Sequence, residues 1–118
     1  MEFDQTQAIY LQIADLICEK ILLKQYESNS RIPAVRELAV EIAVNPNTVA
    51  RSYSYLEEQG IIYKQRGIGY FIADNGYQKT LMLKKNNFIK NELPKLTKQL
   101  ELFNIDLNEL SKLMRGKV

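Results

Sequence analysis

Apolar residues recur over residues 8–23 at Ile9, Ile13, Leu16, Ile17, Ile21 and Leu22, which places them on one face of a helix. Asp15, Glu19 and Lys20 fall off that face, and Thr6 or Asp4 can cap its start. Gln25 to Ser30 is polar and reads as a connection. Pro33 opens a second helix with Val35, Leu38, Ala39 and Ile42 inward and Arg36, Glu37 and Glu41 outward. A short turn, Ala43-Val44, leads to Asn45, a helix N-cap whose side-chain oxygen accepts a first-turn N–H. Pro46 fits the first helical position, where its missing N–H costs nothing. The third helix runs to about Gln59 with Val49, Tyr53 and Leu56 inward, and Gly60 suits the residue just past its end.

The period then changes from 3.6 to 2. Ile61 to Gln65 and Tyr70 to Ala73 are β-rich runs joined by Arg66-Gly67-Ile68-Gly69, whose glycines permit a tight hairpin tip. Tyr63 and Tyr70 are candidates for a cross-strand pair. Three helices followed by a hairpin predict a winged helix-turn-helix over residues 1–76, a mainly α fold with a small β-hairpin wing.

Residues 77–118 predict a two-helix tail. Ile89, Leu93, Leu96, Leu100 and Phe103 step by fours and threes, the spacing of a helix-packing seam. Pro94 interrupts that seam and predicts a kink or short break. Asn104-Ile105-Asp106 ends the helix, and Asp106 caps a last one carrying Leu107, Leu110, Leu113 and Met114. A helix pair of about 40 residues cannot bury such a seam alone, so it packs on the first domain or on another copy of itself.

The chain has one cysteine, Cys18, and no histidine. Intramolecular disulfides, zinc sites of the Cys/His kind and Ser-His or Cys-His catalysis are thereby excluded, and no catalytic constellation, metal or cofactor is expected. Cys18 lies among isoleucines and leucines and reads as a small buried hydrophobe. No apolar run approaches the roughly 20 residues of a membrane span. Met1-Glu2-Phe3-Asp4 lacks a secretion signal, so a cytoplasmic, soluble protein is expected. Residues 1–76 carry seven Lys/Arg against ten Asp/Glu, a net −3, and residues 77–118 carry nine against four, a net +5. Global charge therefore gives no support to nucleic-acid binding by the first part; only local clustering can.

Local clustering is present. Asn47, Thr48 and Arg51 lie on the first turn and a half of the third helix, at a helix end that already favours anions. Such an end suits a DNA groove, with Asn47 toward a base edge and Arg51 toward guanine or phosphate. Arg66 and Gly67 at the wing tip suit a minor groove or its phosphate rim, with Gly69 beside them and Lys64 as a phosphate candidate. Tyr10, Tyr53 and Tyr55 are possible stacking groups; spacing puts Tyr53 in the core, while Tyr55 either touches phosphate or packs under the wing. The tail lysines (Lys79, Lys84, Lys85, Lys90, Lys95, Lys98) read as a solvated face.

These residues resemble the GntR family of bacterial transcription regulators, and within it the short YtrA-like subfamily. Ala8-Ile9-Tyr10-Leu11-Gln12-Ile13 is similar to the family's proline-isoleucine-tyrosine-x-glutamine-isoleucine opening. Arg31-Ile32-Pro33-Ala34-Val35-Arg36-Glu37-Leu38-Ala39 resembles its leucine-proline-serine-x-arginine-x-leucine-alanine segment. Val44 to Val49 resembles the start of the YtrA-type recognition helix, and Tyr53 to Ile62 with Arg66 to Ile72 resemble the helix end and wing. The resemblance covers residues 8–72 and implies that Arg36 contacts DNA; an ion pair with Glu37 or Glu41 is the other role open to it. In the tail it implies a dimerisation extension built on Ile89, Leu93, Leu96, Leu100, Phe103, Leu107, Leu110 and Met114. Four residues depart from the pattern: Ala34 stands for a serine, and Lys24, Asn29 and Ala43 for glycines.

The resemblance implies a homodimeric, sequence-specific regulator of double-stranded DNA, most often a repressor and often of transporter genes. Two recognition helices would enter successive major grooves of an inverted repeat, with half-sites roughly 34–36 Å apart or a multiple of it. The tail leaves little room for a small-molecule pocket of roughly 300 Å³, and no effector site is marked. The alternative is a winged-helix protein-interaction module without sequence-specific DNA binding, for which the net −3 of residues 1–76 speaks.

Overall fold

The computed structural model describes Phe3 and residues 7–116. Its elements are α1 (Ile9–Leu22), α2 (Val35–Glu41), α3 (Pro46–Glu58), β1 (Ile62–Gln65), β2 (Gly69–Ile72), α4 (Gly76–Asn87), a π-helical turn (Phe88–Glu92), α5 (Leu93–Leu102) and α6 (Leu107–Arg115). An antiparallel hairpin after the third helix makes this the winged helix-turn-helix that the change of period predicted.

The core gathers one face from each element. Ile13, Ile17 and Ile21 of α1, Leu38 of α2, Val49, Tyr53 and Leu56 of α3, and Ile61, Ile62 and Ile72 of the hairpin are buried. Each large aliphatic group so removed from water contributes about 1.5–3 kcal/mol before the entropy of ordering is subtracted. The buried face of α1 is rotated from the predicted one. It centres on Ile13, Ala14, Ile17, Cys18 and Ile21, leaving Leu16 and Leu22 half-buried and Ile9 exposed. Cys18 is buried as expected. Ala8 occupies the N-cap position of α1 without a side-chain hydrogen bond; Thr6 and Asp4 lie outside the described residues. The second helix begins later than Pro33, with Ala34 as N-cap. Alanine offers no acceptor there, but the Glu37 carboxylate reaches back and accepts the Ala34 N–H at 3.0 Å.

Four helices end alike. The N–H groups of Gln25, Val44, Ile61 and Ile105 donate to the carbonyls of Lys20, Ala39, Leu56 and Leu100 at 2.9, 2.9, 3.0 and 2.9 Å. The residue before each donor is left-handed: Lys24 (φ 61°), Ala43 (φ 56°), Gly60 (φ 74°) and Asn104 (φ 57°). These are Schellman motifs, which reverse the chain within two residues while satisfying the last carbonyls. Only Gly60 adopts this conformation without a Cβ penalty, and Ala43, in the helix-turn-helix turn itself, carries about 1–2 kcal/mol of strain. Asn29 is left-handed too, with φ 63°. All three departures from glycine thus take the geometry that glycine serves.

The hairpin register pairs Ile62 with Ile72, Tyr63 with Phe71, Lys64 with Tyr70 and Gln65 with Gly69. Tyr63 and Tyr70 are therefore not a cross-strand pair; adjacent cross-strand positions alternate faces, so a pairing of Tyr63 with Tyr70 needs a one-residue slip. Tyr63 stacks on Phe71 at 5.6 Å, and Tyr70 meets Tyr53 edge-on at 4.9 Å. The polar connection also does more than connect. Arg31 bridges Phe71, the Ile32 N–H donates to the Tyr70 carbonyl at 3.0 Å, and the Asn29 and Ile72 N–H groups donate to the carbonyls of Ile72 and Ser30 at 2.8 and 3.0 Å. Residues 29–32 run beside β2 as a rudimentary third strand.

The chain divides into two compact units between Leu83 and Lys84. The first includes the start of α4, where Gly76 and Thr80 are buried and Tyr77 and Leu83 pack on the core. In the second, the Leu93 N–H donates to the Phe88 carbonyl, closing the π turn immediately before Pro94. A wider turn lets the helix continue past a residue that cannot donate, which is the interruption expected there. Asp106 caps α6 by accepting the Glu109 N–H at 2.8 Å. Neither α5 nor α6 has a buried residue.

Replacing Ala43 with glycine relieves the left-handed strain against a smaller loss of unfolded-chain restriction, for a net gain of about 1 kcal/mol. Thermal denaturation should show the melting temperature raised by several degrees; an unchanged or lower value would contradict strain at that turn. Tyr53 yields a second test. Burial pushes its hydroxyl far above the usual tyrosine range, with Tyr26, Glu37, Tyr70 and Glu41 adding to the effect. A raised folded pKa means that the stabilisation is complete below the ordinary value of 10.0 and is lost as pH climbs beyond it. Tyr53→Phe should cost about 1 kcal/mol at neutral pH and weaken the loss of stability above pH 10, followed by denaturant melts across pH.

Candidate nucleic-acid interface

The N-terminal turns of α3 form the centre of the site. Asn45 caps the helix, its side-chain oxygen accepting the Asn47 N–H at 2.8 Å, and Pro46 follows in the first turn. Asn47 and Arg51 are exposed and Thr48 is half-buried, while Val49, Ser52, Tyr53 and Leu56 point into the core. One helix thus presents hydrogen-bonding groups outward because its opposite face is anchored. Asn47, Thr48 and Arg51 line a shallow groove of about 400 Å³ with Ala8, Ile9 and Tyr10 of the α1 start. The Arg51 guanidinium lies 4.0 Å from the centroid of the Tyr10 ring, and Tyr10 meets Tyr55 edge-on at 6.3 Å.

Arg36 sits on the first turn of α2, exposed, and makes no ion pair among the described residues. Glu37, the nearest carboxylate in sequence, is turned toward the Ala34 N–H instead. Tyr53 belongs to the core, its hydroxyl donating to the Pro33 carbonyl. Tyr55 is half-buried and packs against the core.

On the wing, Lys64 and Arg66 are exposed, and the Lys64 ammonium stands 5.8 Å from the Tyr70 ring centre. Gly67 (φ 79°) has open space where a Cβ would point, so its backbone is accessible to a close ligand. Gly69 (φ 142°) is a different case: a Cβ there would lie 2.9 Å from Nε of Arg31. The Arg31 side chain thus lies against the wing, exposed and without an ion pair among the described residues. Arg31 is a wing cation that sequence reasoning passed over. Its pairing with Phe71 is long-range, and no local pattern in a polar connection announces it.

Amides, a hydroxyl and an arginine on an anchored helix, a cation on α2 and cations on a glycine-tipped hairpin form the polar and basic face of a winged helix-turn-helix. The sequence profile described as "Bacterial regulatory proteins, gntR family" matches residues 9–72, and the chain belongs to that family of DNA-binding transcription regulators, not to the enzymes. It is 37% identical over 102 residues to the HTH-type transcriptional repressor YtrA of Bacillus subtilis, covering 86% of this chain and 78% of YtrA. The uncharacterized HTH-type transcriptional regulator YhcF of the same organism is 44% identical over 73 residues, 62% of this chain and 60% of YhcF. A crystal structure of a GntR-family regulator from Bacteroides thetaiotaomicron superposes with a TM-score of 0.76 at 48% identity, covering 92% of this chain and 95% of that one.

Substitutions separate base contacts from phosphate contacts. Asn47→Ala, Thr48→Ala and Arg51→Ala should each relax sequence choice at one position, with losses of about 1–3 kcal/mol per base contact. Arg66→Ala should weaken all duplexes evenly and flatten the salt dependence. Titrations of labelled duplexes at several salt concentrations distinguish the two patterns, and unchanged binding across the set would move the interface off this face.

Proposed function

We propose that this protein is a repressor that binds an inverted-repeat operator as a homodimer in the cytoplasm, with the tail helices joining the two copies. The observation that carries the DNA-reading part is the face formed by exposed Asn47 and Arg51 with half-buried Thr48, on a helix start already capped and anchored. The relative YtrA, itself a repressor, supports the direction of control. Transporter genes are the first targets to examine.

The tail supports the dimer. Within the second unit Ile89, Leu93, Leu96, Phe103, Leu107 and Met114 are exposed, and Leu100 and Leu110 are half-buried. Such a concentration of apolar side chains on these helices suits an isologous interface, in which each copy covers the other's seam. Pairing two recognition helices sets a half-site spacing of about one helical turn, roughly 34–36 Å, or a multiple of it.

Selection from a random duplex pool on the purified full chain tests the reading. An enriched inverted repeat would support regulator, dimer and spacing together. Absence of enrichment at low salt, with the protein folded and dimeric, would leave two readings, a missing effector or the protein-docking alternative for which the net −3 of residues 1–76 speaks. Leu96→Asp or Leu100→Asp should yield monomers in sedimentation equilibrium, because a buried carboxylate without a partner strongly opposes association. A persistent dimer would place the interface elsewhere.

A further inference from the structure

Arg51 is not a free arginine on a solvated helix. Its guanidinium carbon stands 4.0 Å from the centroid of the Tyr10 ring, close enough for the cation to be attracted by the ring face. The main chain that carries the ring is held in place. Ser52, the residue after Arg51, is wholly buried, and its hydroxyl donates to the Tyr10 carbonyl at 2.7 Å, with the Thr48 carbonyl 3.2 Å away. Tyr55, one turn beyond Arg51, meets the edge of the same ring at 6.3 Å. The start of α1 is thus latched to α3 from below by Ser52, held from the side by Tyr55, and offers its ring to Arg51.

We propose that Tyr10 is a specificity-determining positioning residue: it holds the Arg51 guanidinium ready for a DNA base or phosphate without touching the DNA itself. The inference rests on the reading of Arg51 as a DNA contact and goes beyond it, because it assigns the selectivity of that contact partly to a residue on a different helix. Two parallel N–H···O bonds form only when the guanidinium fork is correctly aimed, and a flexible arginine loses rotamer freedom to aim it. Against the ring that ordering exists before DNA arrives. Without the ring Arg51 retains its charge, so non-specific attraction survives while discrimination falls. The hydroxyl of Tyr10 takes no part, so the ring alone is sufficient.

Parallel selections from one random duplex pool, on the wild-type chain and the variants Tyr10→Leu, Tyr10→Phe and Arg51→Ala, test this. Thermal melts and circular dichroism check the fold of each protein. Wild type and Tyr10→Phe should enrich the same sequence. Arg51→Ala should lose preference at one base pair of each half-site, and Tyr10→Leu should lose preference at that same base pair by about fivefold or more. Its affinity for unrelated duplex should stay within about twofold of wild type, which a general loss of structure would not produce. Tyr10→Leu keeping the wild-type preference while Arg51→Ala loses it would overturn the positioning role and leave the Arg51 contact standing. Unaltered preference in Arg51→Ala would overturn both. Should Tyr10→Leu not fold, Tyr10→Met keeps bulk without a ring and must show the same selective loss.

Discussion

The Tyr53 side chain ties the recognition helix to the rest of the DNA-binding unit. It is wholly buried, its ring meets Tyr70 of β2 edge-on at 4.9 Å, and its hydroxyl donates to the Pro33 carbonyl ahead of α2. One residue earlier, Ser52 fastens the same helix to the Tyr10 carbonyl of α1. Two consecutive residues therefore join α3 to α1, to the chain entering α2 and to the wing. Buried hydroxyls at such junctions are costly unless satisfied, and both are satisfied. With α3 held from inside, the residues on its other side have a defined direction.

The charge distribution shows the same dependence on placement. The first 76 residues are net negative, so any attraction for a phosphate backbone must come from where the cations stand. On α3 the acidic residues are confined to its C-terminal end, at Glu57 and Glu58, and Glu37 is engaged with the α2 backbone. Arg31, Arg36, Arg51, Lys64 and Arg66 are exposed. Local placement can outweigh the overall sign because solvent and salt screen distant charges within about 10 Å.

The second unit poses the opposite problem. Its helices are well specified locally, by the Asp106 cap and by a Schellman end with Asn104 left-handed. Yet α5 and α6 bury nothing completely. A separate helix of nine residues such as α6 is marginal in water without packing. The second unit has sound ends and an uncovered face, which is the physical ground for the association proposed above.

Much of the fold was legible in the residues alone. Helix periods, the Asn45 and Asp106 caps, the Gly60 terminator, the irregular turn at Pro94 and the change to period 2 are all local signals, fixed by sterics and hydrogen bonding within a few residues. They determined the winged helix-turn-helix, the direction of the recognition helix and the membership that its motifs implied. Tertiary structure alone decided the rest. The pairing of residues 29–32 with β2, the Arg31 seat against Gly69 and the Tyr10–Arg51 contact join residues far apart in the chain, and the hairpin register gives Tyr63 the partner Phe71. No period or cap encodes such contacts, because each depends on the register and rotation that packing the whole core selects. The left-handed Lys24, Asn29 and Ala43 show the two levels meeting: the backbone geometry is imposed by the helix ends and turns, and the side chains bear its cost.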